Sequence, residues 1–201
     1  HPYYYSSLSL LKAKSPQKGS RVYAYLENTV FEENIFYDIS YYSSCGIGLN
    51  IYSESGDFNG FINNCSFVNN NGPIAIATNV DNSSFIDNSA GHYSGNALVR
   101  ADTIYNSIFI HNTNLYRDGD NAFVGEGAAS ANMILNSTFM YNRAAFGGAV
   151  SNTKEIHYSV FVNNTAEYEG NDIYSYKGDV DYSTNWWGDN QKPGSDKIFK
   201  F

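Results

Sequence analysis

Basic residues are scarce in this chain. Lys and Arg number 12 against 20 Asp and Glu, a formal net charge of −8. A nucleic-acid partner requires a basic patch to meet its phosphates, so no such partner is expected. The nearest thing to a patch, Lys12 to Lys18 ("KAKSPQK"), reads as a polar connector. No run of about 18 apolar residues occurs, so no membrane-spanning helix is expected. Charged residues of both signs make up only 16% of the chain. Apolar residues never keep the i, i+3, i+4, i+7 spacing of an amphipathic helix, and the abundant Asn, Gly and Tyr are poor helix formers. A helical enzyme is therefore not expected. Cysteine is limited to Cys45 and Cys65. The pair could form a disulfide in an oxidising compartment or remain as buried thiols. The chain opens on His1, and a mature chain after signal removal, an excised fragment and an expression scar all fit that start.

What the chain has in quantity is a repeat. "NTVFEEN" from Asn28 returns as "NCSFVNN" from Asn64, "NSSFIDN" from Asn82, "NSIFIHN" from Asn106, "NSTFMYN" from Asn136 and "YSVFVNN" from Tyr158. Aligned on the aromatic, one column holds Phe31, Phe67, Phe85, Phe109, Phe139 and Phe161, and a seventh copy places Asn185 there. Five residues earlier every copy is aliphatic, from Leu26 to Val180. Two residues earlier every copy is small, from Thr29 to Ser183. Three residues after the Phe stand Asn34, Asn70, Asn88, Asn112, Asn142 and Asn164, then Gly188. The copies are spaced by 36, 18, 24, 30, 22 and 24 residues. A helical repeat needs a nearly fixed period, whereas stacked short strands tolerate loops of any length between them.

A further short strand opens on glycine in each copy, at Gly46, Gly72, Gly95, Gly127, Gly147 and Gly170. Each turn of chain thus reads as about three short strands. The rings are expected to point inward and lie over one another, each burying on the order of 150–250 Å². An odd spacing of five between aliphatic and Phe puts them on opposite faces of a straight strand, so a corner must intervene. The Asn three before Phe suits it, because Asn tolerates the left-handed region. The Asn three after Phe is expected to make the next corner. Stacked Asn side chains can bond in a ladder at the strand spacing of about 4.8 Å. The fold class expected is all-β, a right-handed parallel β-helix (solenoid) of about seven coils, roughly 35 Å long. Residues 22–190 form it. Residues 1–21 form a cap or an assembly segment, and 191–201 a tail.

The pairing of F-x-x-N with G-G-A-V (Gly147 to Val150) resembles the repeats of chlamydial polymorphic outer-membrane proteins. The ending "STNWWGDN", Ser183 to Asn190, resembles the close of repeat blocks in adhesin-like surface proteins of methanogenic archaea. This resemblance spans about residues 22 to 190. It implies a right-handed parallel β-helix of the pectin-lyase-like superfamily, exposed at the cell surface. The fold hosts lyases, hydrolases and adhesins alike, so the resemblance fixes no activity.

Polysaccharide hydrolysis needs two or three carboxylates converging on one face, and a lyase needs a Ca²⁺ site with a base beside it. The best acidic cluster is "YRDGDNAFVGEG", with Tyr116, Arg117, Asp118, Asp120 and Glu126. Its D-G-D spacing could help to hold Ca²⁺, although the full EF-type loop is missing, and a polar loop tip explains it as well. No cofactor is expected. Glu167, Glu169 and Asp172 form a second acidic group, read as a solvated rim. His1, His92, His111 and His157 show no ligand spacing. Trp186 and Trp187 offer either a sugar-stacking platform or closure of the C-terminal end. Asn64, Asn82, Asn136 and Asn163 stand in N-x-[ST] sequons and are glycosylation candidates. The leading expectation is a non-catalytic extracellular or cell-surface protein. It would act in adhesion to glycans or surface proteins, or self-associate as a structural subunit. The alternative is an enzyme acting on acidic glycans.

Overall fold

The computed structural model describes residues 11–13, 22–35, 47, 49–51, 58–90, 96–115, 117–118, 122–176, 178–189 and 193–200. Every regular element among them is a strand. The chain is all-β, and its strands pair almost entirely in parallel. An 18-stranded sheet carries most of them, beside a three-stranded sheet and a two-stranded antiparallel hairpin. No described helix is long and apolar enough to cross a membrane.

Pairing follows the sequence columns. Leu26 pairs with Ile62, Ile62 with Val80, Val80 with Ile104, Ile104 with Ile134 and Ile134 with Ile156. In the next strand Phe31, Phe67, Phe85, Phe109, Phe139 and Phe161 pair in the same one-to-one series. Irregular spacing in sequence thus becomes regular stacking in space, because the extra residues leave the strands as loops. Rings of neighbouring copies lie 4.8, 4.9, 4.6, 4.8 and 5.2 Å apart and within 11° of parallel. Phe67 to Phe161 are fully buried, and Phe31 at the N-terminal end of the pile is nearly so. Burial of each ring contributes about 1.5–3 kcal/mol.

The pile does not stop at Phe161. Trp187 stacks on it at 4.6 Å and 14°, and is itself buried. The expectation that Asn185 stands in the ring column is therefore corrected. The last strand is slipped by two residues against the sequence alignment: Glu155 faces Asp181 and Val160 faces Trp186, with an irregularity between them where His157 faces Thr184. That slip carries Trp187 into the ring column and Asn185 into the column of small residues.

That column does more than leave room. Ser83, Ser107, Ser137 and Ser159 are buried, and each donates its hydroxyl to the carbonyl two residues back, at 2.6–3.0 Å. Each hydroxyl oxygen also accepts the backbone N–H of the copy before it, from Cys65, Ser83, Ser107 and Ser137, at 3.1–3.2 Å. Asn185 closes the series by accepting from the Ser159 N–H at 2.9 Å. A hydroxyl suits the place because it donates and accepts at once. Cys65 occupies the same column as a free, buried thiol, which burial pushes above its ordinary pKa. Cys45 lies outside the described residues.

The first corner is as expected. Asn28, Asn64, Asn82, Asn106 and Asn136 have φ of 45–51°, and Tyr158 has 56°. The second corner is not. There the left-handed residue is the one before the expected Asn: Glu33, Asn69, Asp87, His111, Tyr141 and Asn163, with φ of 51–56°. Turning the chain one residue early frees the following Asn to point inward. Asn70, Asn88, Asn112, Asn142 and Asn164 are buried and form a continuous ladder. In each rung the backbone N–H and Nδ2 of one Asn both donate to Oδ1 of the next, from Asn34 through to Asn164, at 2.9–3.1 Å. Nδ2 also donates to the carbonyl of a ring-column Phe, as Asn88 does to Phe67. Left-handed backbone costs about 1–2 kcal/mol per non-glycine residue, and these bonds offset it.

After the ladder residue comes a short strand that the three-strand reading missed. Thr113–Asn114, Arg143–Phe146 and Thr165–Glu169 make the three-stranded sheet. The glycine-led strand lies beyond it, and in the middle copies it runs on into the aliphatic strand as Val99–Tyr105 and Ala129–Leu135. Gly147 is one glycine that the backbone demands. Its φ is 60°, and a side chain there would strike the Val150 carbonyl. Of the two terminal segments, Leu11–Ala13 pairs in parallel with Leu49–Ile51, and Ile198–Lys200 with Ile173–Ser175. The rest of 1–21 lies outside the described residues.

Asp172 ends the Asn ladder. Asn164 Nδ2 donates to its Oδ1 at 2.9 Å, and Lys197 Nζ lies 3.6 Å from Oδ2. The carboxyl is buried, and burial raises its pKa against the opposing pull of Asn164 and Lys197. The folded state therefore holds this proton more tightly than the unfolded chain, whose Asp titrates near 3.8. Below that value both states are protonated and the term vanishes. As pH rises through the folded value, stability is lost. Thermal melts from about pH 3 to about pH 7 should therefore show the parent losing ground steadily to Asp172→Asn. An unchanging gap would mean that Asp172 titrates alike in both states.

Candidate functional site

The insertion that carries the acidic cluster is a small hairpin. Arg117–Asp118 pairs antiparallel with Ala122–Phe123. Tyr116 and Asp120 lie outside the described residues. Glu126 belongs to the next layer instead: its backbone bridges to Phe146, and its Oε2 accepts from the Ser151 hydroxyl at 3.2 Å. In the second group Glu167 and Asp172 have structural partners, and Asp172 is buried rather than part of a solvated rim. Glu167 is paired with Arg143, whose Nε donates to it at 2.8 Å. Asp172 ends the ladder. No group of three or more His, Cys, Asp or Glu able to hold a metal occurs among the described residues.

The two tryptophans part company. Trp187 is a core residue, whereas Trp186 is 44% exposed and points outward. His111 faces Asp87 at 3.5 Å and Tyr141 at 5.1 Å between ring centres, and His157 Nδ1 meets the Thr184 hydroxyl at 3.1 Å. The exposed tyrosines do not share one face. Tyr23 and Tyr25 stand on the aliphatic strand, Tyr141 and Tyr158 on opposite corners, and Tyr168 on the short third sheet.

The four sequons fall into two settings. Asn64, Asn82 and Asn136 sit on the exposed first corner, and their Nδ2 atoms donate to Asn28, Asn64 and Asn106 at 2.7, 3.3 and 2.7 Å. The atom that would carry a sugar is thus engaged in an outer ladder. Asn163 stands on the other corner, exposed and in the left-handed region.

A groove of about 220 Å³ crosses the corner between the glycine-led and aliphatic strands. Its polar lining is Arg100 and Asp102 from one layer, Ser130 and Asn132 from the next, and Asn152 beyond. Ala101 pairs with Ala131 between them, and both pack on the core side of the strand, leaving the flanking polar residues on the outer face. Asp102 Oδ1 accepts a long bond of 3.4 Å from Asn132 Nδ2. The sequence reading missed these residues, because only the alanine between them keeps its type from one layer to the next. "RAD" and "SAN" align once the aliphatic column is extended two to four places upstream.

Comparisons with protein-family models, with curated proteins and with solved structures find no match to this chain.

Proposed function

We propose that the chain is a right-handed parallel β-helix of about seven coils that serves as a non-catalytic module at the cell surface or outside the cell, in adhesion. One observation carries this reading. The inward columns are nearly invariant from copy to copy, while the loops between strands differ in length and sequence in every layer. Stability is thereby confined to rings, serines and asparagines inside, and the lateral surface is free to vary for binding. The low charge content and the wealth of Asn, Ser and Tyr fit a surface exposed to glycans and proteins.

A second reading, a subunit of a surface layer or filament, is favoured by the outer face of the ring strand. There Val68, Ile86, Ile110, Met140 and Val162 pair in one half-buried column. The two readings separate in one experiment on the purified chain. Adhesion predicts a monomer that is retained on immobilised glycans or cells. Assembly predicts ordered polymers under the electron microscope, abolished by removing residues 1–20. Release of reducing ends or unsaturated products from acidic glycans, lost on Asp118→Ala, would overturn both in favour of an enzyme.

A further inference from the structure

We infer that the groove formed by Arg100, Asp102, Ser130 and Asn132 binds a neutral, hydroxyl-rich glycan chain lying along the stack. The inference rests on the adhesion reading and names its site and ligand class.

The groove lies on the outer face of parallel strands, not at a sheet edge. Backbone groups there are already spent on neighbouring strands: Ala77 N–H donates to the Arg100 carbonyl, and Asp102 N–H to that of Thr78. A peptide that binds by adding a strand needs free backbone groups, and this surface does not present them. What it presents is side chains, one set per layer. Arg100 offers donors only, Asp102 acceptors only, and Ser130 and Asn132 both. A hydroxyl donates and accepts in turn, so a polyol can satisfy all of them, which a ligand of fixed polarity cannot.

Spacing and charge agree. Layers recur at the interstrand distance, as the 4.6–5.2 Å ring separations record. Pyranose units joined in a linear chain repeat on a similar scale, so successive sugars would meet successive layers. Arg100 and Asp102 cancel in charge, and the chain as a whole carries −8, which repels polyanions. Arg100 is exposed where it lines the groove, so its guanidinium can meet a ligand. The Asn132–Asp102 bond is long and exposed, and a ligand hydroxyl replaces it at little cost.

The test is an array of neutral oligosaccharides, β-linked glucose and N-acetylglucosamine oligomers among them, beside oligogalacturonate and sulfated glycans. The parent chain should bind a neutral series, with affinity rising with chain length up to the reach of the groove. Asp102→Ala and Asn132→Ala, both exposed and remote from the core, should each weaken binding roughly tenfold to a hundredfold, with unchanged circular dichroism. Tyr141→Ala, on another corner, should leave it intact. Neutral binding that survives both groove substitutions places the site elsewhere and overturns the inference while leaving adhesion standing. Preference for the acidic glycans overturns the ligand class. Binding to no glycan overturns the inference, and failure to bind cells as well brings down the adhesion reading with it.

Discussion

Phe109→Ala should cost about 3–5 kcal/mol of stability. The ring is fully buried between Phe85 and Phe139 at 4.6 and 4.8 Å, so its loss opens a cavity in the middle of the pile and breaks two stacking contacts at once. Each such contact is worth about 0.5–1.5 kcal/mol beyond burial. Domains of ordinary stability hold about 5–15 kcal/mol in total, so the variant should melt far below the parent or fail to fold. Its neighbour is the control. Ile108 stands on the same strand but points outward and is 41% exposed. Ile108→Ala should cost about 1 kcal/mol or less. Chemical denaturation of the pair reads the difference directly, and similar losses in both would show that the strand has no inside.

The second large effect is expected at the Asn ladder. Asn112 accepts from the N–H and Nδ2 of Asn88, and donates to Asn142 and to the Phe85 carbonyl. Asn112→Asp keeps the shape but replaces the donating nitrogen with a charged oxygen facing two acceptors. An uncompensated buried charge costs about 3–5 kcal/mol. The burden should lighten in acid, since a protonated carboxyl can donate one of the two lost bonds and carries no charge. Asn136→Asp on the exposed outer ladder changes the same atoms in water and should cost about 1 kcal/mol or less. Melting both variants at neutral and acid pH checks the claim, with the gap between them closing as pH falls.

The stacking order was legible in the sequence because it depends on side-chain type. A ring needs a ring above it, and an aliphatic needs an aliphatic, so Phe85 and Ile104 announce their places. The corners were half legible. Asn106 marks its own corner because the left-handed region selects Asn. The second corner is held by residues as unlike as Glu33, His111 and Tyr141, and such a set carries no pattern. The ladder Asn one place on was visible, and it drew the corner to itself. The last copy misled for a related reason. A two-residue slip moves Trp187 into the ring column, and a fixed offset from the aliphatic residue cannot foresee it. As for the site, the acidic insertion attracted attention by composition, yet Glu126 turned out to serve the next layer through Ser151. The groove residues Arg100 and Asn132 differ in type from copy to copy, so column matching passed over them.

The central claim is that aromatic side chains of successive copies form one continuous inner pile that ends on Trp187. A crystal structure of the chain measures this most directly. The account predicts Phe67, Phe85, Phe109, Phe139, Phe161 and Trp187 in a single line, with ring centres 4.6–5.2 Å apart. Rings turned toward solvent, or Asn185 lying over Phe161 in place of Trp187, would contradict it.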